Sequence, residues 1–164
     1  MPTLYLMCGM PGAGKSTWVR NHIEENEKYV SRDEIRFSLV DENEEYFSRE
    51  NDVFEEFVRK ININLSLGFN TFADATHINA ASRRKILKRI EGYDKLEAIH
   101  INTPLEIAHE RNEERKGTRS YVPREVIRRM YYQFEQPTFL EGFSTIYKIT
   151  PDIKIQIIRE KEEN

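Results

Sequence analysis

Short runs of β-branched and other apolar residues alternate along the chain with longer stretches whose apolar residues recur every three or four positions. The short runs predict strands at about 3–8, 28–31, 69–73, 96–101, 144–149 and 153–158. The longer stretches predict helices at about 15–26, 33–39, 44–67, 79–92, 104–116 and 123–135. In the longest, Phe47, Phe54, Val58, Ile61 and Leu65 fall on one amphipathic stripe, and Gly68 follows where a C-terminal cap belongs. Pro104 and Pro123 suit first-turn positions, with Thr103 as a cap before the former. Strands alternating with helices predict an α/β fold: a mostly parallel central sheet with helices on both faces. Without repeats, low-complexity tracts or a linker, residues 1–164 read as one domain.

Bulk composition narrows the classes. The chain is 38% hydrophobic and 32% charged, within the globular range. No apolar run approaches the roughly 18 residues that span a bilayer, so no membrane partner is expected. The N-terminus lacks a basic region followed by an apolar one, and a cytoplasmic location is the expectation. Cys8 is the only cysteine, which rules out an internal disulfide and suits a reducing interior. In a strand it reads as a small core residue rather than a nucleophile. The net charge of −3 argues against coating nucleic acid by charge alone. Yet the charge is uneven: residues 41–56 are acidic, while Arg83, Arg84, Lys85, Lys88 and Arg89 form a basic cluster. Most such charges read as solvated helix faces, with room for a local basic groove.

One loop changes the picture. Behind the first strand stands Gly9-Met10-Pro11-Gly12-Ala13-Gly14-Lys15-Ser16-Thr17, the G-x-x-x-x-G-K-S spacing of a P-loop, between a strand and a helix as that motif requires. Glycines lack Cβ, so the backbone can curl and turn its N–H groups toward phosphate oxygens. The helix behind adds its positive end. Gly9, Gly12, Ala13, Gly14, Lys15, Ser16 and Thr17 are therefore the expected ATP contacts. Lys15 is to reach the β- and γ-phosphates, and Ser16 is to ligate Mg²⁺.

A P-loop does not separate kinases from ATPases or switches; the residues after the other strands must decide. Asp33 and Arg36, three apart after the second strand, share a helix face. A carboxylate there can deprotonate a hydroxyl beside an anion-gripping arginine, or the two can form a surface pair worth about 0.2–0.5 kcal/mol. After the third strand come Asp74, Thr76 and His77. Asp74 suits Mg²⁺ through water, an acceptor contact or a cap, whereas His77 reads as structural. The basic segment 111–123 reads as a lid in which Arg111 and Arg115 can meet ATP phosphates or simply complement a helix dipole.

Together, GMPGAGKSTW, SRDEIR, ADAT with SRR, RNEER…VPREVIRRM and QFEQPTFLEGFSTI make the sequence resemble the kinase domain of 5′-polynucleotide kinases, over nearly the whole chain. That resemblance implies transfer of the ATP γ-phosphate to a 5′-hydroxyl end of DNA or RNA. It implies Asp33 as general base, Arg36 as clamp on the neighbouring 3′-side phosphate and Arg115 as lid arginine supported by Arg111. Asp74 and Thr76 would lie on the acceptor side. Departures are His77, where the phage enzyme typically has Asn, and a lid one residue longer before its glycine. No D-x-D-x-T motif occurs, so no 3′-phosphatase activity is expected. Two other classes stay open: a P-loop kinase of a small molecule, which the sequence pI near 5.9 favours slightly, and a non-catalytic ATP-dependent switch. Oligomeric state is not legible in the sequence.

Overall fold

A computed structural model describes residues 2–150 and 155–158. The elements run β1 (Thr3–Cys8), α1 (Lys15–His22), β2 (Glu27–Ser31), α2 (Arg32–Leu39), α3 (Glu50–Ser66) and β3 (Asn70–Asp74). They continue as α4 (Ala80–Leu87), β4 (Lys95–Ile101), α5 (Leu105–Glu114), α6 (Arg124–Gln133), β5 (Thr145–Ile149) and β6 (Ile155–Ile158). Residues 153 and 154 of the expected last strand lie outside the described residues. The strands form one sheet in the order β2-β3-β1-β4-β5-β6. All pairs are parallel except β5–β6.

The sheet is covered on both faces, as the continuous apolar strands require. Leu4 and Leu6 of β1 pack in one buried cluster with Val30, Phe57 and Ile61. Met7, one step out of phase, packs in the other with Val19, Phe72 and Ile99. Cys8 is fully buried, and desolvation pushes its thiol up to about 12, so it is a core residue and no nucleophile.

Three local expectations are corrected. The long helix starts at Glu50 rather than about 44. Residues 41–49 instead form turns closed by Glu44 N–H to Asp41 C=O and Ser48 N–H to Glu45 C=O, with Arg49 paired to Glu44 at 2.9 Å. Phe47 thereby leaves the core stripe and stands 56% exposed, while Phe54, Val58, Ile61 and Leu65 keep it. Helix α4 ends at Leu87, not 92, because the Asn62 amide takes the Arg89 carbonyl and the Glu91 N–H into a tight turn ending at Gly92 (φ 89°). Thr103 caps no helix: Pro104 is the N-cap of α5, and the Thr103 hydroxyl donates to the Ala13 carbonyl.

Candidate active site

The site lies beyond the carboxyl ends of β1, β2 and β3. The parallel register sets Met7 and Ser31 level with Asp74, so the loops that follow these strands meet. Gly12 and Gly14 adopt φ 77° and 96°, left-handed values that only glycine takes without strain. A Cβ on Gly12 would stand 2.9 Å from the Ala108 carbonyl oxygen, so the loop also lies directly on α5. Helix α1 has Gly14 as N-cap with no side-chain cap and no acidic residue in its first turn. Its first-turn N–H groups therefore lack a side-chain acceptor, which suits an anion.

The loop is fastened from three sides. Gly9 N–H donates to the Thr76 carbonyl at 3.1 Å. Thr103 Oγ1 and Arg111 Nη1 both donate to the Ala13 carbonyl, at 2.8 and 2.7 Å. Lys15 Nζ folds back to the carbonyls of Gly9 (2.9 Å) and Met10 (3.0 Å), which hold it over the loop. Arg111 is thus a brace of the loop backbone, a role its sequence position left open.

Asp74 is buried and accepts from the Tyr29 hydroxyl at 2.5 Å. Burial raises its carboxyl above the ordinary range, against the nearby Lys15 charge and the Tyr29 hydrogen bond. His77 sits in the left-handed region (φ 43°) and is buried, with Nδ1 2.5 Å from the Met7 carbonyl. Burial pulls its pKa down to about 4, opposed by that hydrogen bond, so the ring is neutral at pH 7.

Asp33 and Arg36 stand on one face of α2, whose start is capped by Ser31 Oγ accepting from Glu34 N–H. Arg36 Nη1 donates to Asp33 Oδ1 at 2.6 Å. The sequence gives no sign of the third member: Arg36 Nε and Nη2 donate to the two carboxylate oxygens of Glu50, at 2.6 and 2.9 Å. Arg32 adds a bond to Glu50 at 3.2 Å, and the rings of Tyr46 and Phe47 lie about 5 Å from the Arg36 guanidinium. Glu50 could not be singled out within an acidic run; only the fold brings it to Arg36.

One cavity of about 380 Å³ joins these groups, with Lys15, Asp33, Arg36, Asp74, Thr76 and Arg115 in its wall. Arg115 terminates α5, and its guanidinium makes no hydrogen bond or ion pair among the described residues. The 111–123 segment borders the cavity: Asn112 pairs with both backbone groups of Val122, and Arg119 donates to the Val40 carbonyl at the end of α2.

The residues fit a nucleoside triphosphate, since the open end of α1, the glycine cradle and Lys15 converge. Among the described residues, no group of three or more His, Cys, Asp or Glu could hold a metal by itself. Mg²⁺ would arrive on the nucleotide, with Ser16 as the protein ligand. Also among the described residues, no helix is long and apolar enough to cross a membrane.

Residues 4–137 match the AAA domain family. The chain belongs to it. The structure of this AAA domain is similar to a chain of the Pnkp1/Rnl/Hen1 RNA repair complex, with TM-score 0.70 and 21% identity, covering 99% of this chain and 50% of that one. The domain thus spans about half the length of that relative. It is also similar to Kti12 of Chaetomium thermophilum in complex with ADP-AlF3 (TM-score 0.64, 15% identity, 91% of this chain and 89% of that chain). A gluconokinase from Sinorhizobium meliloti 1021 matches with TM-score 0.59 and 16% identity, over 91% of this chain and 82% of that chain. The fold of this AAA domain is therefore that of the P-loop kinases.

Proposed function

We propose that this domain is an ATP-dependent 5′-polynucleotide kinase. The observation that carries the reading is the pair Asp33–Arg36 in one cavity with Lys15 and Arg115. The Asp33 side chain is 67% exposed, open to an acceptor hydroxyl, and bonded to the Arg36 guanidinium, a cation in the wall of the same cavity that suits an adjoining phosphate. A hydroxyl next to a phosphate is the chemistry of a nucleic-acid 5′ end. The likeness to a chain of an RNA repair complex supports the same assignment.

When bound, the Mg²⁺ nucleotide supplies the electrophilic γ-phosphoryl group. Lys15 and the P-loop N–H groups hold its phosphates in place. A carboxylate oxygen of Asp33 would take the proton of the 5′-hydroxyl, a contribution of roughly 10²–10⁴-fold, as the hydroxyl oxygen bonds to the γ-phosphorus, the bond from that phosphorus to the β,γ-bridging oxygen breaks and ADP leaves. Arg36 fixes the acceptor by its first phosphate. Arg115, whose guanidinium is uncommitted among the described residues, meets charge developing on the transferred group.

The test is the ratio of kcat/KM for a nucleoside 3′-monophosphate over the bare nucleoside, in the wild type and in Arg36→Ala. The reading expects a large wild-type ratio that collapses in the variant. A wild-type ratio near one, with sugar acids or other small molecules phosphorylated instead, would replace it with a small-molecule kinase. No ATP-dependent phosphorylation of any acceptor would leave a switch.

A further inference from the structure

A second cavity, of about 350 Å³, lies on the outer side of α4 and shares Phe54 and Lys85 with the acceptor cavity. The rest of its lining is Ala81, Arg84, Lys88 and Arg89. Among the described residues four cations line it and no carboxylate does, on a chain whose net charge is −3. Arg89 is held by Glu55 at 2.7 Å, but the side chains of Arg84 and Lys88 are exposed without a hydrogen bond or ion pair among the described residues. The shared wall is itself cationic: Lys85, Arg32 and Arg89 stand over the Phe54 ring at 4.9, 5.7 and 5.8 Å. A solvated charge run would account for exposed lysines and arginines. It would not account for their lining one cavity that shares Phe54 and Lys85 with the cavity holding Asp33.

We propose that this α4 groove carries the acceptor strand: the nucleic acid runs from the 5′ end at Asp33 past Phe54 and Lys85, with its following phosphates against Arg84 and Lys88. The inference rests on the polynucleotide reading and extends it to the substrate's length. Arg84 and Lys88 are separated by about 6 Å along the helix axis, a spacing on the scale of one nucleotide step in an extended strand. Contacts of this kind position a backbone without reading its bases, so recognition is of single-stranded ends irrespective of sequence.

The experiment compares kcat/KM for a nucleoside 3′-monophosphate and for an eight-nucleotide single strand, in the wild type and in the double variant Arg84→Gln/Lys88→Gln, across a salt series. The wild type is expected to prefer the longer acceptor, and the double variant to lose about tenfold of that preference. The salt slope for the oligonucleotide should flatten by about 1.4, because each phosphate that a cation neutralises on a single strand adds roughly 0.7 to it. Circular dichroism of the variant controls for folding, since both side chains are exposed. An equal wild-type kcat/KM for the two acceptors, or a preference and salt slope untouched by the double variant, overturns the groove while leaving the kinase reading intact. A wild type inactive on both acceptors overturns the kinase reading and the groove with it.

Discussion

Arg36 is clasped by Glu50 through Nε and Nη2 while its Nη1 holds Asp33, so one guanidinium links the candidate base to a residue of another helix. Burial alone would raise the Glu50 carboxyl; the Arg36 and Arg32 contacts bring it below the ordinary value. Glu50→Gln keeps the shape and removes the charge. Arg36 then loses its bidentate partner, so it should hold Asp33 and the acceptor less firmly and kcat/KM should fall. Stability should fall by about 1.5–3 kcal/mol, the worth of hydrogen bonds to a charged group. An unchanged kcat/KM with an unchanged denaturant midpoint would show that the clasp carries neither effect.

Lys15→Ala should leave the fold intact, because among the described residues its ammonium bonds only to the carbonyls of Gly9 and Met10 and fills no core position. Turnover should drop by the equivalent of about 2.7–4 kcal/mol of barrier, judged from deletion of a single preorganised donor. Turnover at wild-type level, in a variant with wild-type circular dichroism, would sink the P-loop assignment.

His77 and His100 are both buried, and desolvation draws each down to about 4 from an ordinary 6.5. Their folded pKa values are depressed, so in that window the unfolded chain binds protons that the native chain does not. Stability is therefore lost as pH falls from about 6.5 toward 4, with a slope up to about 1.4 kcal/mol per pH unit for each histidine. His77→Asn should lessen the slope without harming the fold, since Asn tolerates the left-handed backbone that His77 adopts and can donate to the Met7 carbonyl. His77→Val should destabilise at every pH, being β-branched at positive φ. Denaturant melts of both variants at pH 5 and pH 7 decide; an unchanged slope in His77→Asn would mean that His77 does not supply it.

The P-loop and the Asp33–Arg36 pair were legible because their geometry is local: a fixed spacing behind a strand, or a helix step of three. The sheet followed from alternating patterns for the same reason. What escaped depends on distance in sequence. Glu50 reaches Arg36, and Thr103 and Arg111 reach Ala13, only after the sheet has formed. The basic cluster misled differently. Arg83 stood among exposed cations in the sequence, yet it is fully buried and holds Glu141 at 2.5 Å together with the carbonyls of His77 and Glu135, tying the 139–141 turn to the site. Phe47 misled through periodicity, because the polar turns at 41–49 interrupt a stripe that spacing alone continues.

Arg111 and Arg115 stand one helical turn apart, and the structure separates their work. Arg111 braces the Ala13 carbonyl, whereas Arg115 lines the cavity with its guanidinium free among the described residues. Arg111→Ala should loosen the loop before any chemistry, so nucleotide affinity and kcat/KM for ATP should fall together. Arg115→Ala should lower turnover more than ATP affinity, because a contact that tightens in the transition state appears in kcat rather than in ground-state binding. Lysine at 115 should restore only part of the rate, since an ammonium cannot donate to two oxygens as a planar fork does. Nucleotide titration by calorimetry without acceptor, set beside steady-state rates, separates the cases. Equal losses of binding and turnover in Arg115→Ala would reduce that arginine to a binding residue. The same pattern in Arg111→Ala is what a loop brace requires.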